Sequence, residues 1–235
     1  MPTPGTALTN AFTVSTTLGS QSIGLNSDGE TALQSAINAG GKLTVCAMST
    51  HHDYTGSEPS EGGDYTRVKM YYSEYTGTSR DPQLKWILDD SSVGSVYSES
   101  SGNDDDGFMA AFNLDDTETW AQIRGDSMSV GDVRNVSLNN AFNGVLSRRF
   151  SARGSIIREC ARSYFVFDLS GESGTITEGN FVFYMDNTGT SSGVSSQITI
   201  VEATTLAGTA ADYGNCFVAD TATVTDNATF FGANF

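Results

Sequence analysis

Apolar and polar residues alternate with a period of two along most of this chain. The clearest run is Arg162 to Leu169 (RSYFVFDL), in which Tyr164 and Val166 point one way while Phe165, Phe167 and Leu169 point the other. Both faces are apolar near its centre, which predicts a strand covered on both sides. Similar runs occur at Lys42 to Met48, Thr66 to Tyr72, Gln83 to Leu88, Val133 to Leu138, Asn180 to Met185 and Gln197 to Ala203. Clusters of Gly, Asn, Asp and Ser separate them, as tight turns require.

One stretch, NSDGETALQSAINAGG, follows the helical period instead. Asn26 or Ser27 can cap its start and Glu30 suits its first turn. Ala32, Leu33, Ala36 and Ile37 form an apolar stripe, and Gly40 with Gly41 ends it. The expectation is an all-β antiparallel sandwich with one short helix. The segment Asp89 to Gly107 is poor in apolar residues and rich in acids, and reads as a long loop dividing the chain into residues 1–90 and 107–235, with the acidic loop at 91–106.

Composition agrees with this reading. Hydrophobic residues make up 38% and charged residues 17% of 235 residues, with 25 Gly and 4 Pro, which suits short strands and many turns. The length fits a single domain, 1–235. The formal net charge of −16 opposes binding to phosphate backbones and anionic lipid, so neither nucleic acid nor membrane insertion is expected. Of the 12 Lys and Arg, five fall between Arg148 and Arg162 (Arg148, Arg149, Arg153, Arg158, Arg162) and none follows. These are either charges that protect a strand edge or a stripe that docks on an acidic neighbour, conceivably another copy of the chain.

The opening residues lack a basic and apolar leader pattern, and no apolar run reaches the length of a membrane helix. Cys46, Cys160 and Cys216 are too few and too scattered for a disulfide framework, and are expected as small buried hydrophobes. Assembly in a reducing cytoplasm suits them.

Two segments resemble the jelly-roll modules of bacterial surface proteins, carbohydrate-binding modules and phage virion proteins. RSYFVFDLSGESGTITEGNFVFYMDN, followed by ITIVEATTL, is similar to their opening half. LNSDGETALQSAINAGGKLTVCAMSTHHDYTG, with YYSEYTGTSRDPQLKWIL, is similar to their closing half. Here the closing-type half comes first. The resemblance therefore implies a jelly-roll-like sandwich that is circularly permuted, closed either within one chain or by strand exchange with a neighbouring copy.

Candidate chemistry is sparse. His51, His52 and Asp53 form the only histidine-bearing group, and its expected role is to fix a turn. A G-x-S-x-G match around Ser191 lacks the strand-to-helix setting of a nucleophile elbow. No catalytic residue is assigned and no enzyme is expected. Carboxylates at Asp53, Asp104, Asp105 and Asp106, and further sets around Glu58, Glu61 and Asp64 and at Asp115, Asp116 and Glu118, are candidate calcium ligands. No other cofactor is indicated. Tyr75, Trp86 and Trp120 are candidates for a sugar-stacking face, although Trp86 alternates with Leu84 and Leu88 and so suits a core. Phe230, Phe231 and Phe235 would be costly to expose and are expected to dock, as are Arg148, Arg149 and Arg153. The function expected is that of a structural virion-type protein, a capsid decoration, fibre or appendage subunit that binds copies of itself or other virion proteins. The alternative is a glycan-binding or adhesion module at a cell surface.

Overall fold

The computed structural model describes residues 5–15, 17–63, 65–73, 76–99, 106–113, 117–125, 133–135, 142–152, 154–190 and 196–203. Among these, twelve strands join in antiparallel pairs. They are β1 (Phe12–Thr13), β2 (Gly19–Gly24), β3 (Lys42–Ser49), β4 (Thr66–Met70), β5 (Gln83–Leu88), β6 (Val93–Tyr97), β7 (Gly107–Asn113), β8 (Val133–Asn135), β9 (Phe142–Ala152), β10 (Ser155–Asp168), β11 (Ile176–Thr190) and β12 (Gln197–Glu202). The expected all-β sandwich with a helix is the architecture found.

The sandwich is turned by two long strands that change partners. β10 pairs with β9 over Ser155 to Ala161, and on the same side with β3 over Ser163 to Asp168, while β7 lines its other side. β11 pairs with β5 over Ile176 to Val182 and with β4 over Met185 to Thr190, with β2 opposite. A register shift between Met185 and Asn187 marks the change of partner, as expected where an extra residue lets a strand bend from one sheet into the next.

The period-two pattern of β10 is realised. Phe165, Phe167 and Leu169 enter the larger core with Phe181, Phe183, Val45 and Trp86. Tyr164 and Val166 enter a second cluster with Cys46, Met48, Met109, Trp120 and Cys160. Cys46 and Cys160 are buried, as expected; Cys216 lies outside the described residues. Helix α1 (Ser27–Ala39) places Leu33 and Ile37 in the larger core. Asn26 caps it, its Oδ1 accepting from Gly29 N at 2.9 Å, and Gly40 ends it in the left-handed conformation at φ 60°.

Two features differ from the sequence reading, and a third, the placement of the two halves, was left open by it. The stretch read as an acidic loop at 91–106 contains β6, which forms a hairpin with β5. Its turn is built from Asp and Ser: Ser91 sits at φ 67° and Asp90 Oδ1 accepts from Ser92 N at 2.8 Å. β6 lacks a clean apolar face because Val93 and Tyr97 face solvent with Ser95, while Val96 packs on the core and Gly94 faces a tryptophan. The single expected helix is joined by a short helix α2 (Trp120–Gly125) and a π-helical turn at Thr50–Tyr54. The two halves of the chain interleave within one molecule: β3 lies between β12 and β10, and β4 between β9 and β11.

Candidate functional site

β3 runs into the π-helical turn that carries His51, His52 and Asp53. The turn is held from both ends. Ser49 Oγ accepts from His52 N at 3.4 Å, and Thr55 N donates to Thr50 O at 3.0 Å. Inside it, Arg162 of β10 grips the Asp53 carboxylate with two parallel bonds, Nε to Oδ2 at 2.7 Å and Nη2 to Oδ1 at 2.8 Å. Arg124 of α2 donates Nε to the Asp53 carbonyl at 2.7 Å, and Arg162 Nη2 donates to the Arg124 carbonyl at 2.5 Å. Trp120 Nε1 donates to the His52 carbonyl at 3.0 Å. Gly56, at φ 83°, lets the chain pass over Arg124; a Cβ there would stand 2.8 Å from its Nη1.

This cluster is a structural clasp. His52 is buried and donates Nδ1–H to the Ser57 carbonyl at 2.9 Å, and His51 points to solvent. The His52 and Asp53 side chains hydrogen-bond to Ser57 and Arg162, whereas that of His51 is exposed. Both Asp53 oxygens accept from the Arg162 guanidinium, and Arg124 Nε stands 3.6 Å from Oδ1. Sequence reading missed the partners, although a signal existed: Arg162 shares parity with Tyr164 and Val166 on a buried face, where a charge requires a counter-charge.

The cationic residues gather on the β9–β10 hairpin. Arg148 pairs across strands with Glu159, and Arg149 with Arg158. Arg148 Nε donates to Glu159 Oε2, and the Arg148 guanidinium lies over the Phe150 ring at 4.5 Å. Glu159 is buried, which raises its carboxyl above the ordinary range despite Arg148 beside it. Glu58 takes Arg158 Nε at 2.7 Å and faces Arg149 Nη1 at 3.6 Å. Phe150, Ile156 and Ile157 are half-buried along the same hairpin. Arg153, Phe230, Phe231 and Phe235 lie outside the described residues, as do Ser191, Asp64, Asp115 and Asp116.

Among the acidic candidates, Asp104 and Asp105 lie outside the described residues, and Asp106 is buried. Its carboxylate accepts from Ser73 N at 2.9 Å, Ser73 Oγ at 2.6 Å and Ser98 Oγ at 2.8 Å, tying the segments after β4 and β6 to the start of β7. Burial pushes its carboxyl up to about 7, with the Asp81 charge adding to the rise. Burial also pushes Asp81 up to about 6.

Two of the aromatic candidates, Trp86 and Trp120, are buried. Trp86 is 1% exposed and Trp120 3% exposed, since the first lies against Gly94 and in the main core, and the second is tied to the His52 carbonyl. Tyr75 lies outside the described residues. Tyr97, 42% exposed on β6, lines a different cleft of about 230 Å³ with Arg80, Asp81, Gln83 and Lys85. No helix among the described residues is long and apolar enough to cross a membrane. In comparisons with known proteins, no family model, curated protein or solved structure matches the chain.

Proposed function

We propose that this chain is a non-catalytic structural subunit of the virion type, a capsid decoration, fibre or appendage protein, that works by protein–protein assembly. The observation that carries the reading is the β9–β10 hairpin, which sets Arg148, Arg149 and Arg158 beside half-buried Phe150, Ile156 and Ile157 on a chain of net charge −16. An arm that is basic and partly apolar is complementary to the acidic body of a second copy. Such a contact joins unlike surfaces, and repeated it builds rings or filaments. His52 and Asp53, the residues with most chemical potential in the sequence, are committed to the clasp under the π-helical turn. The partners are copies of the same chain or other virion proteins, with assembly in the host cytoplasm.

Sedimentation velocity of the purified chain across concentration tests this. Association is expected, weakening between ~50 mM and ~500 mM salt as charge pairs are screened, and weakening further in a variant carrying Arg149→Gln and Arg153→Gln. A monomer at every concentration and salt would overturn the reading.

The glycan-binding alternative is favoured by one observation, the cleft in which exposed Tyr97 stands beside Asp81, Gln83 and Lys85. An aromatic face with nearby polar groups suits a sugar ring. Glycan-array binding that is abolished by Tyr97→Ala in a folded protein would select it over assembly.

A further inference from the structure

We infer that the hollow between β4 and β9 is an anion site that takes a carboxylate carried on an apolar or aromatic group. It is a pocket of about 250 Å³ that includes Gly62, Gly63, Tyr65, Arg67, Arg148 and Phe150 in its lining. The inference stands independently of assembly.

The pocket exists because two strands part. β4 pairs with β9 only from Met70↔Phe142 to Thr66↔Ser147. Beyond Ser147, β9 continues along the hairpin with β10, and the departing chain crosses back at Gly62, whose N–H donates to the Arg149 carbonyl at 3.1 Å. The walls follow from register. Arg67 is paired directly with Leu146, so their side chains share a face; Arg148 and Phe150 follow on that face at steps of two. Leu146 is buried in the main core, and the face turns cationic and aromatic where the core ends.

The charge on this face is not balanced. Glu159 serves Arg148, and Glu58 serves Arg149 and Arg158. Arg67 makes no ion pair with a described residue, and its Nε is buried without a hydrogen-bond acceptor. A buried guanidinium nitrogen without an acceptor is costly, and no described carboxylate pairs with Arg67. A planar carboxylate matches the fork of an arginine. The Arg148–Phe150 stack and Tyr65 provide an apolar surface for whatever carries the carboxylate. That carrier is either a small free acid or an acidic side chain of a second copy.

The test is titration of the full chain with sodium benzoate, read by calorimetry and amide NMR at constant ionic strength, with sodium chloride as the reference. Saturable binding is expected, with shifts at Gly62, Arg67 and Phe150. Arg67→Gln should weaken it about tenfold or more, the effect of losing a charge-assisted pair of bonds. Arg67→Lys should keep part of it, and Lys42→Gln, outside this lining, should leave it unchanged. Circular dichroism confirms that each variant is folded; should Arg67→Gln not fold, Arg67→Lys and the chemical shifts of the parent chain decide. Binding no stronger than chloride, or equal binding by the parent and Arg67→Gln, would overturn the inference. A second arm identifies the source. Benzoate that dissociates self-associated chains in sedimentation points to a neighbour's acidic side chain, and saturable benzoate binding with sedimentation unchanged points to a free acid.

Discussion

Arg162 and Asp53 lie 109 positions apart and form a two-bond ion pair in which both side chains are fully buried, at 2.7 and 2.8 Å. The pair links β10 to the π-helical turn after β3, and Arg124 extends it to α2. It lies beside the smaller core, so the polar link and the packing of Trp120 and Tyr164 depend on each other.

Removing one member should leave the other charge buried. Asp53→Asn is expected to destabilise the fold by about 3–5 kcal/mol, measured by urea unfolding. Replacing both Asp53 and Arg162 with apolar residues should cost less than the sum of the two single changes, because no member of the pair is then stranded.

Asp106 and Asp81 make stability depend on pH. Both carboxyls hold protons more tightly in the folded state, with values pushed up to about 7 and about 6 from an ordinary 3.8. Their contribution is therefore full below the unfolded value and is lost as pH rises through about 6 for Asp81 and about 7 for Asp106. Asp106→Asn should flatten this fall, so its stability relative to the parent chain should improve between pH ~5 and pH ~8. Urea midpoints of both proteins across that range check the sign; an unchanged difference would refute it.

Gly94 and Trp86 should behave as one unit. They are cross-strand partners, and a Cβ on Gly94 would come within 2.2 Å of the indole ring. Gly94→Ala is expected to cost at least about 1–3 kcal/mol, as overpacking does. Trp86→Ala should cost about 3–5 kcal/mol through the cavity it leaves. Thermal unfolding of the two single variants and the double variant would show whether the ring and the glycine act together.

Asn26 both caps α1 and donates Nδ2 to the Ala7 carbonyl at 2.9 Å. Asn26→Ala should lose about 1 kcal/mol for the cap, up to about 2, and Asn26→Asp should restore the cap without the bond to Ala7. Chemical denaturation of the three proteins separates the two bonds.

Much of this was legible in local pattern. The parity of β10, the cap and stop of α1 and the apolar side of Trp86 all follow from side-chain direction in a single element, which neighbouring residues determine. β6 was not legible, because its apolar residues are split between the exposed face (Val93, Tyr97) and the inner face (Val96), where Gly94 makes room for a tryptophan of another strand. The clasp was half legible: a charged residue at position 162 on a buried face demanded a partner, but pairing across 109 positions is decided only when β10 passes beneath the turn. The arginine stripe was visible as a cluster, whereas the buried Nε of Arg67 without an acceptor was not. It arises where β4 departs from β9, and strand separation is a property of the whole sheet. Local sequence determined which faces are apolar and where the chain turns, because these depend on stereochemistry within a few residues. Tertiary structure alone decided which charges are compensated, since ion pairing depends on distances that only the folded sandwich sets.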